Sequence, residues 1–214
     1  MKTKLSIGAL MAGLALSFSG FAQSISGTLH DMSGAAWNTA TINKLCGVCH
    51  IPHDAYAIVN APLWSHAQGA GPYTMYSSAQ SSTYQATNDA APSGNSIMCL
   101  SCHDGTVALD NFKPVNTSTT FMPAGPNLLS TTLTNDHPIS MTYNTALSTA
   151  DGGLYDPATQ AAPAAYGAGT IQARMLYNDR VQCATCHNPH NNTNGKFLKM
   201  STPNSELCLA CHIK

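Results

Sequence analysis

The sequence predicts an irregular, loop-rich fold with short α-helices around four recurring cysteine motifs. Three observations lead there. The pattern C-x-x-C-H occurs four times and contains every cysteine of the chain. Residues 67–96 and 114–170 are rich in Ser, Thr, Ala, Gly and Pro and hold no sustained period of 3.6 or 2.0, so they read as loops. Charged residues make up only 9% of the 214 residues, against about 25% in ordinary soluble domains. The formal charge of −1 leaves no basic field to hold nucleic acid or an anionic membrane.

The first 22 residues read as a secretory signal. Lys2 and Lys4 precede an apolar run, LSIGALMAGLALSF, and Gly20-Phe21-Ala22 supplies the small residues of a cleavage site after Ala22. A retained anchor is the competing reading, but the run is shorter than the roughly 18–20 residues that cross a bilayer. No span is expected after cleavage. The mature chain would be residues 23–214, with seven basic and ten acidic side chains. The expected destination is the cell exterior by way of the periplasm.

An exported chain with an even number of cysteines ordinarily forms disulfides. Spacing argues otherwise here. The motifs are Cys46-Gly47-Val48-Cys49-His50, Cys99-Leu100-Ser101-Cys102-His103, Cys183-Ala184-Thr185-Cys186-His187 and Cys208-Leu209-Ala210-Cys211-His212. C-x-x-C-H is the attachment signature of c-type haem. Two thiols must reach two vinyl groups on one porphyrin edge, and the following His then lies under the iron as an axial ligand. The expected cofactor is therefore four covalent haems, on Cys46/Cys49, Cys99/Cys102, Cys183/Cys186 and Cys208/Cys211. A zinc ribbon, suggested by the 21 residues between Cys186 and Cys208, and a thioredoxin-like dithiol both use C-x-x-C. Neither calls for a His after every pair.

His50, His103, His187 and His212 take the proximal positions. Five histidines remain for four distal positions: His30, His53, His66, His137 and His190. His53 and His190 share the pattern C-H-x-P-H. Proline disfavours helix at the residue before it, so each motif helix should stop near the proximal His and the second His should point to a neighbouring haem. His137, in Asp136-His137-Pro138, is placed in an extended segment by the same rule. His30 lies early in the mature chain. His66, after Trp64-Ser65, has the least telling context and reads as the spare. Met98, Met122 and Met141 are the alternative axial ligands, but with enough histidines they read as core filler. This bookkeeping leaves no open coordination position, so no enzyme and no catalytic residue is expected.

The first and third motifs share C-x-x-C-H-x-P-H and the second and fourth share C-L-x-C-H. The mature chain thus reads as one tetrahaem domain built from two tandem dihaem units, 46–103 and 183–212, joined by the stretch 114–170. Motif starts are 53, 84 and 25 residues apart. Thr202 with Pro203 gives the fourth motif a helix start. The haems replace much of a conventional core, with Leu100, Leu109, Phe112, Leu176, Phe197 and Leu207 expected on their faces.

With these motifs in place, the chain resembles multihaem c-type cytochromes, in particular the tetrahaem outer-surface cytochromes of metal-reducing bacteria (OmcE type) that polymerise into extracellular filaments. The residues that carry the likeness are Ser26-Gly27-Thr28-Leu29-His30-Asp31-Met32-Ser33, Cys46 through His53, Ala61-Pro62-Leu63-Trp64 and Asp136-His137-Pro138. The resemblance implies a fold wrapped around a chain of stacked bis-His haems, and extracellular electron transfer with no substrate transformed. It implies head-to-tail polymerisation, in which a histidine near one subunit's N-terminus ligates a haem of the next. His30 matches that position; it could equally serve its own chain. Other redox proteins or extracellular acceptors would be partners, and nucleic acid would not. Two alternatives stay open: a monomeric periplasmic tetrahaem shuttle, and a multihaem reductase, for which no open-site motif is present. A shuttle docks through charged patches, and the mature chain has only Lys44, Lys113, Arg174, Arg180, Lys196, Lys199 and Lys214 as cations.

Overall fold

The computed structural model describes residues 24–40, 44–58 and 63–213. The expected signal, Ala61, Pro62 and Lys214 lie outside the described residues. Among them, regular structure is sparse: α1 (Gly94–His103), α2 (Thr145–Asp151), α3 (Ile171–Arg174), α4 (Cys183–Cys186) and α5 (Glu206–Leu209), with single 3₁₀ turns at Ala164–Tyr166 and Pro203–Ser205. The antiparallel pair β1 (Met141–Thr142) and β2 (Arg180–Val181) aligns Met141 with Val181 and Thr142 with Arg180. The architecture is the loop-rich one that the composition predicts. No helix among the described residues is long and apolar enough to cross a membrane.

The second motif lies wholly on a helix, the third leaves its helix after Cys186, the fourth starts on α5 and runs past its end at Leu209, and the first lies on no helix. Residues 44–49 form turns, closed by His50 N–H donating to the Cys46 carbonyl at 2.8 Å. His50 then pairs with Trp64 as an isolated bridge, which pulls the chain into extended form before a second helical turn can form. The third motif behaves as its proline dictates: α4 ends at Cys186 and His187 is extended, at φ −108°, ψ 146°. At the fourth, Thr202 precedes a helical turn with Pro203 first, but its side chain caps nothing. Asn204 and Ser205 adopt left-handed backbone, so the start is a 3₁₀ turn followed by a separate short helix.

The 114–170 stretch is more ordered than its composition predicts. It contains α2, β1 and a 3₁₀ turn. The signals for α2 are local. Asn144 Oδ1 accepts from Leu147 N–H at 3.0 Å as an N-cap, and Gly152 at φ 70° stops the helix in a conformation that costs other residues a Cβ clash. Seven residues are too few for the period to register. The stretch also builds a conventional core. Met141, Tyr143, Leu147 and Tyr166 pack with Ile171, Met175, Leu176, Val181 and Ala210, each large apolar side chain worth about 1.5–3 kcal/mol on full burial. Ala210 belongs to the fourth motif, so the linker is packed against it. A second, smaller cluster of Ala40, Val48 and Phe112 lies behind the first motif. Met141 is core, as expected of it. Leu100, Phe112, Leu176 and Phe197 are buried and Leu207 packs on the larger cluster.

Candidate haem-binding site

The motif cysteines follow one another in space as they do in sequence. Cys49 lies within electrostatic range of Cys99 and Cys102. The Cys99 and Cys183 thiols are neighbours, and their interaction raises the Cys99 pKa and lowers that of Cys183. Cys186 neighbours both Cys208 and Cys211. The order is therefore motif one, two, three, four, which spacing along the chain does not reveal. Burial pushes the thiols of Cys49 and Cys186 up to about 11 and those of Cys102 and Cys211 up to about 12. Among the described residues no group of three or more His, Cys, Asp or Glu side chains converges as a metal tetrahedron requires.

Histidine rings are paired across long sequence distances. His50 and His190 have ring centres 6.1 Å apart, His30 and His103 6.2 Å, and His137 and His212 6.5 Å. Two imidazoles on opposite sides of one metal, each bonded at about 2 Å through a nitrogen about 1 Å from its ring centre, lie about 6 Å apart centre to centre. These pairs thus have the separation of two axial ligands, and each couples one motif histidine to one histidine outside that motif. The residues fit the cofactor implied by the motifs.

Hydrogen bonds at the far side of the rings agree. His103 Nδ1 meets the Asn127 carbonyl at 2.7 Å, His187 Nδ1 that of Lys196 at 2.9 Å and His137 Nδ1 that of Pro138 at 3.0 Å. A carbonyl only accepts, so each Nδ1 donates and Nε2 is the nitrogen left to face an iron, the arrangement that orients metal-bound imidazoles. Burial lowers the pKa of His30, and Phe197 stacks on its ring at 4.2 Å. Sequence reasoning could not find Asn127 and Lys196, because any residue supplies a carbonyl.

The remaining histidines differ. His66 is fully buried, its Nδ1 donating to the Ala67 carbonyl at 3.0 Å and its Nε2 3.4 Å from Cys102 Sγ. That is the surroundings of a structural histidine. His53 is exposed; it does not repeat the cross-motif reach of His190, although both follow the same C-H-x-P pattern. Among the described residues no second histidine ring is paired with His187 at the ligand separation.

A family model for the doubled CXXCH motif matches residues 177–214, which takes in the third and fourth motifs. No curated protein matches the chain. The doubled motif supports a multihaem c-type cytochrome: a protein that binds haem covalently and transfers electrons. The match covers the last two motifs only; the first two rest on their own C-x-x-C-H residues.

Proposed function

We propose that the protein is an extracellular electron conduit: it carries four covalent c-type haems, all bis-His, and polymerises head to tail after export through the periplasm. The observation that carries this reading is the set of three histidine pairs at 6.1–6.5 Å, strung along an unbroken order of four motifs. The haems supply the redox couple, with potentials toward the low side that two histidines set. The chain's own part is to hold each imidazole at its separation, keep each Nε2 free of protons and exclude other ligands. No substrate is bound or transformed, so the protein is not an enzyme.

Within this reading His50 pairs with His190, His103 with His30 and His212 with His137. His187 and His53 are left. Because His30 lies against His103 of its own chain, the geometry favours His53 rather than His30 as the ligand given to the next subunit, with His187 receiving it. A head-to-tail bond of that kind repeats without closing and yields a filament.

The second reading is a monomeric periplasmic tetrahaem shuttle. The same seat of His30 favours it, since the N-terminal segment then needs no neighbour to tie it down. Intact mass of the exported protein tests the cofactor: four haems are expected, and zinc or no haem would overturn the cytochrome. Electron microscopy of the secreted fraction separates the readings, with filaments expected for the first and dispersed particles for the second.

A further inference from the structure

We propose that Gln182 is a positioning residue that sets the spacing between the second and third haem-bearing helices. The proposal rests on the cytochrome reading. Gln182 is 3% exposed and directly precedes α4. Its amide oxygen accepts from the hydroxyls of Ser96, on α1, and Ser140, beside β1. Its amide nitrogen donates to Ser93 Oγ at 3.2 Å, at the start of α1. The partners are themselves bound to one another. Ser96 Oγ accepts from the Cys183 amide at 3.0 Å, and Ser140 Oγ accepts from the Ser93 amide at 2.9 Å. Ser96 and Ser140 are fully buried.

This network joins three pieces of chain: α1, which carries Cys99 and Cys102; α4, which carries Cys183 and Cys186; and the segment that brings His137 to His212. The Cys99 and Cys183 thiols meet beside it. Its work is to fix how the two helices lie against each other. A buried network with every member satisfied specifies one arrangement, and a partly broken one does not. An amide is required at the centre. The Ser93 hydroxyl already donates to Asp89 Oδ2 at 2.6 Å, so it can only accept from position 182, and a carboxylate there has no proton to give.

The test uses the exported holoprotein and its Gln182→Leu, Gln182→Glu and Ser140→Ala variants. Intact mass and absorbance should show four low-spin haems in each. The Soret circular-dichroism couplet, which reports the mutual orientation of neighbouring haems, should lose most of its contribution from the middle pair in Gln182→Leu and Gln182→Glu. A smaller loss in the same direction is expected in Ser140→Ala, which removes one arm and keeps the variant series informative if the others fail to fold. The Cys183 amide should exchange about tenfold faster in Gln182→Leu, the scale of one lost buried hydrogen bond. Leu147→Ala, which destabilises the larger core but removes no hydrogen bond of the network, should keep the wild-type couplet. An unchanged couplet in Ser140→Ala and in the Gln182 variants that carry four haems would overturn the proposal. A protein without haem would overturn the cytochrome reading and this inference with it, and mass tells that outcome from the first.

Discussion

The imidazoles of His50 and His190 lie 6.1 Å apart and within 20° of parallel, although one belongs to the first motif and the other follows the third. The second histidine of the third motif's C-H-x-P-H pattern thus lies against a different motif from its own. His190→Gly should therefore leave four haems in place and turn about one iron in four high-spin, since one axial ligand is gone. Adding Cys46→Ser and Cys49→Ser should abolish that high-spin signal. Adding Cys183→Ser and Cys186→Ser should leave it. Magnetic circular dichroism reads both, and the opposite pattern would place His190 on its own motif's haem.

His66 should behave as structure rather than ligand. His66→Leu is expected to keep every iron low-spin while costing about 1–3 kcal/mol for the lost buried hydrogen bond. A high-spin fraction would instead make it an axial ligand.

Burial holds the pKa of His66 below its ordinary 6.5. The unfolded chain therefore binds a proton that the folded chain refuses. The stability this confers is fully present above about pH 6.5 and is lost as pH falls through the folded value. The urea midpoint should drop between pH 7.5 and pH 5, and the part of the drop due to this ring should be missing in His66→Leu.

Assembly gives a fourth test. His53→Ala should keep four haems yet secrete as short oligomers, with one iron perturbed. His30→Ala should perturb one iron, that of Cys99/Cys102, without breaking filaments. Sedimentation and microscopy of the two variants distinguish these outcomes, and dispersed subunits from His30→Ala alone would return the joining role to His30.

Asp110 organises the loop behind the first motif. Its carboxylate accepts from Thr117 Oγ1 at 2.8 Å, from the amides of Thr119 and Thr120 at 3.0 and 3.1 Å, and from the Thr119 hydroxyl. It is 1% exposed. Asp110→Ala removes the shared acceptor of several part-buried hydrogen bonds at once and should cost about 1–3 kcal/mol, measurable by urea unfolding of the holoprotein.

The cofactor, the eight thiols that would hold it and the four histidines beside them were legible in the sequence, because a covalent porphyrin dictates its spacing over five contiguous residues. Pro189 likewise predicted where α4 stops, since a proline acts on its immediate neighbour. The loop-rich character followed from composition. What the sequence could not carry was any relation between segments. His53 and His190 have nearly identical local patterns, yet His190 meets His50 while His53 faces outward; long-range packing decides that. The seat of His30 against His103 and Phe197 is of the same kind. Gln182 shows the limit most plainly. It has no motif, and its partners at 93, 96 and 140 are brought to it only because β1 pairs with β2 and α1 packs on α4. The spacing within each motif is set by local covalent geometry, whereas the order and separation of the motifs are set by buried contacts between distant parts of the chain.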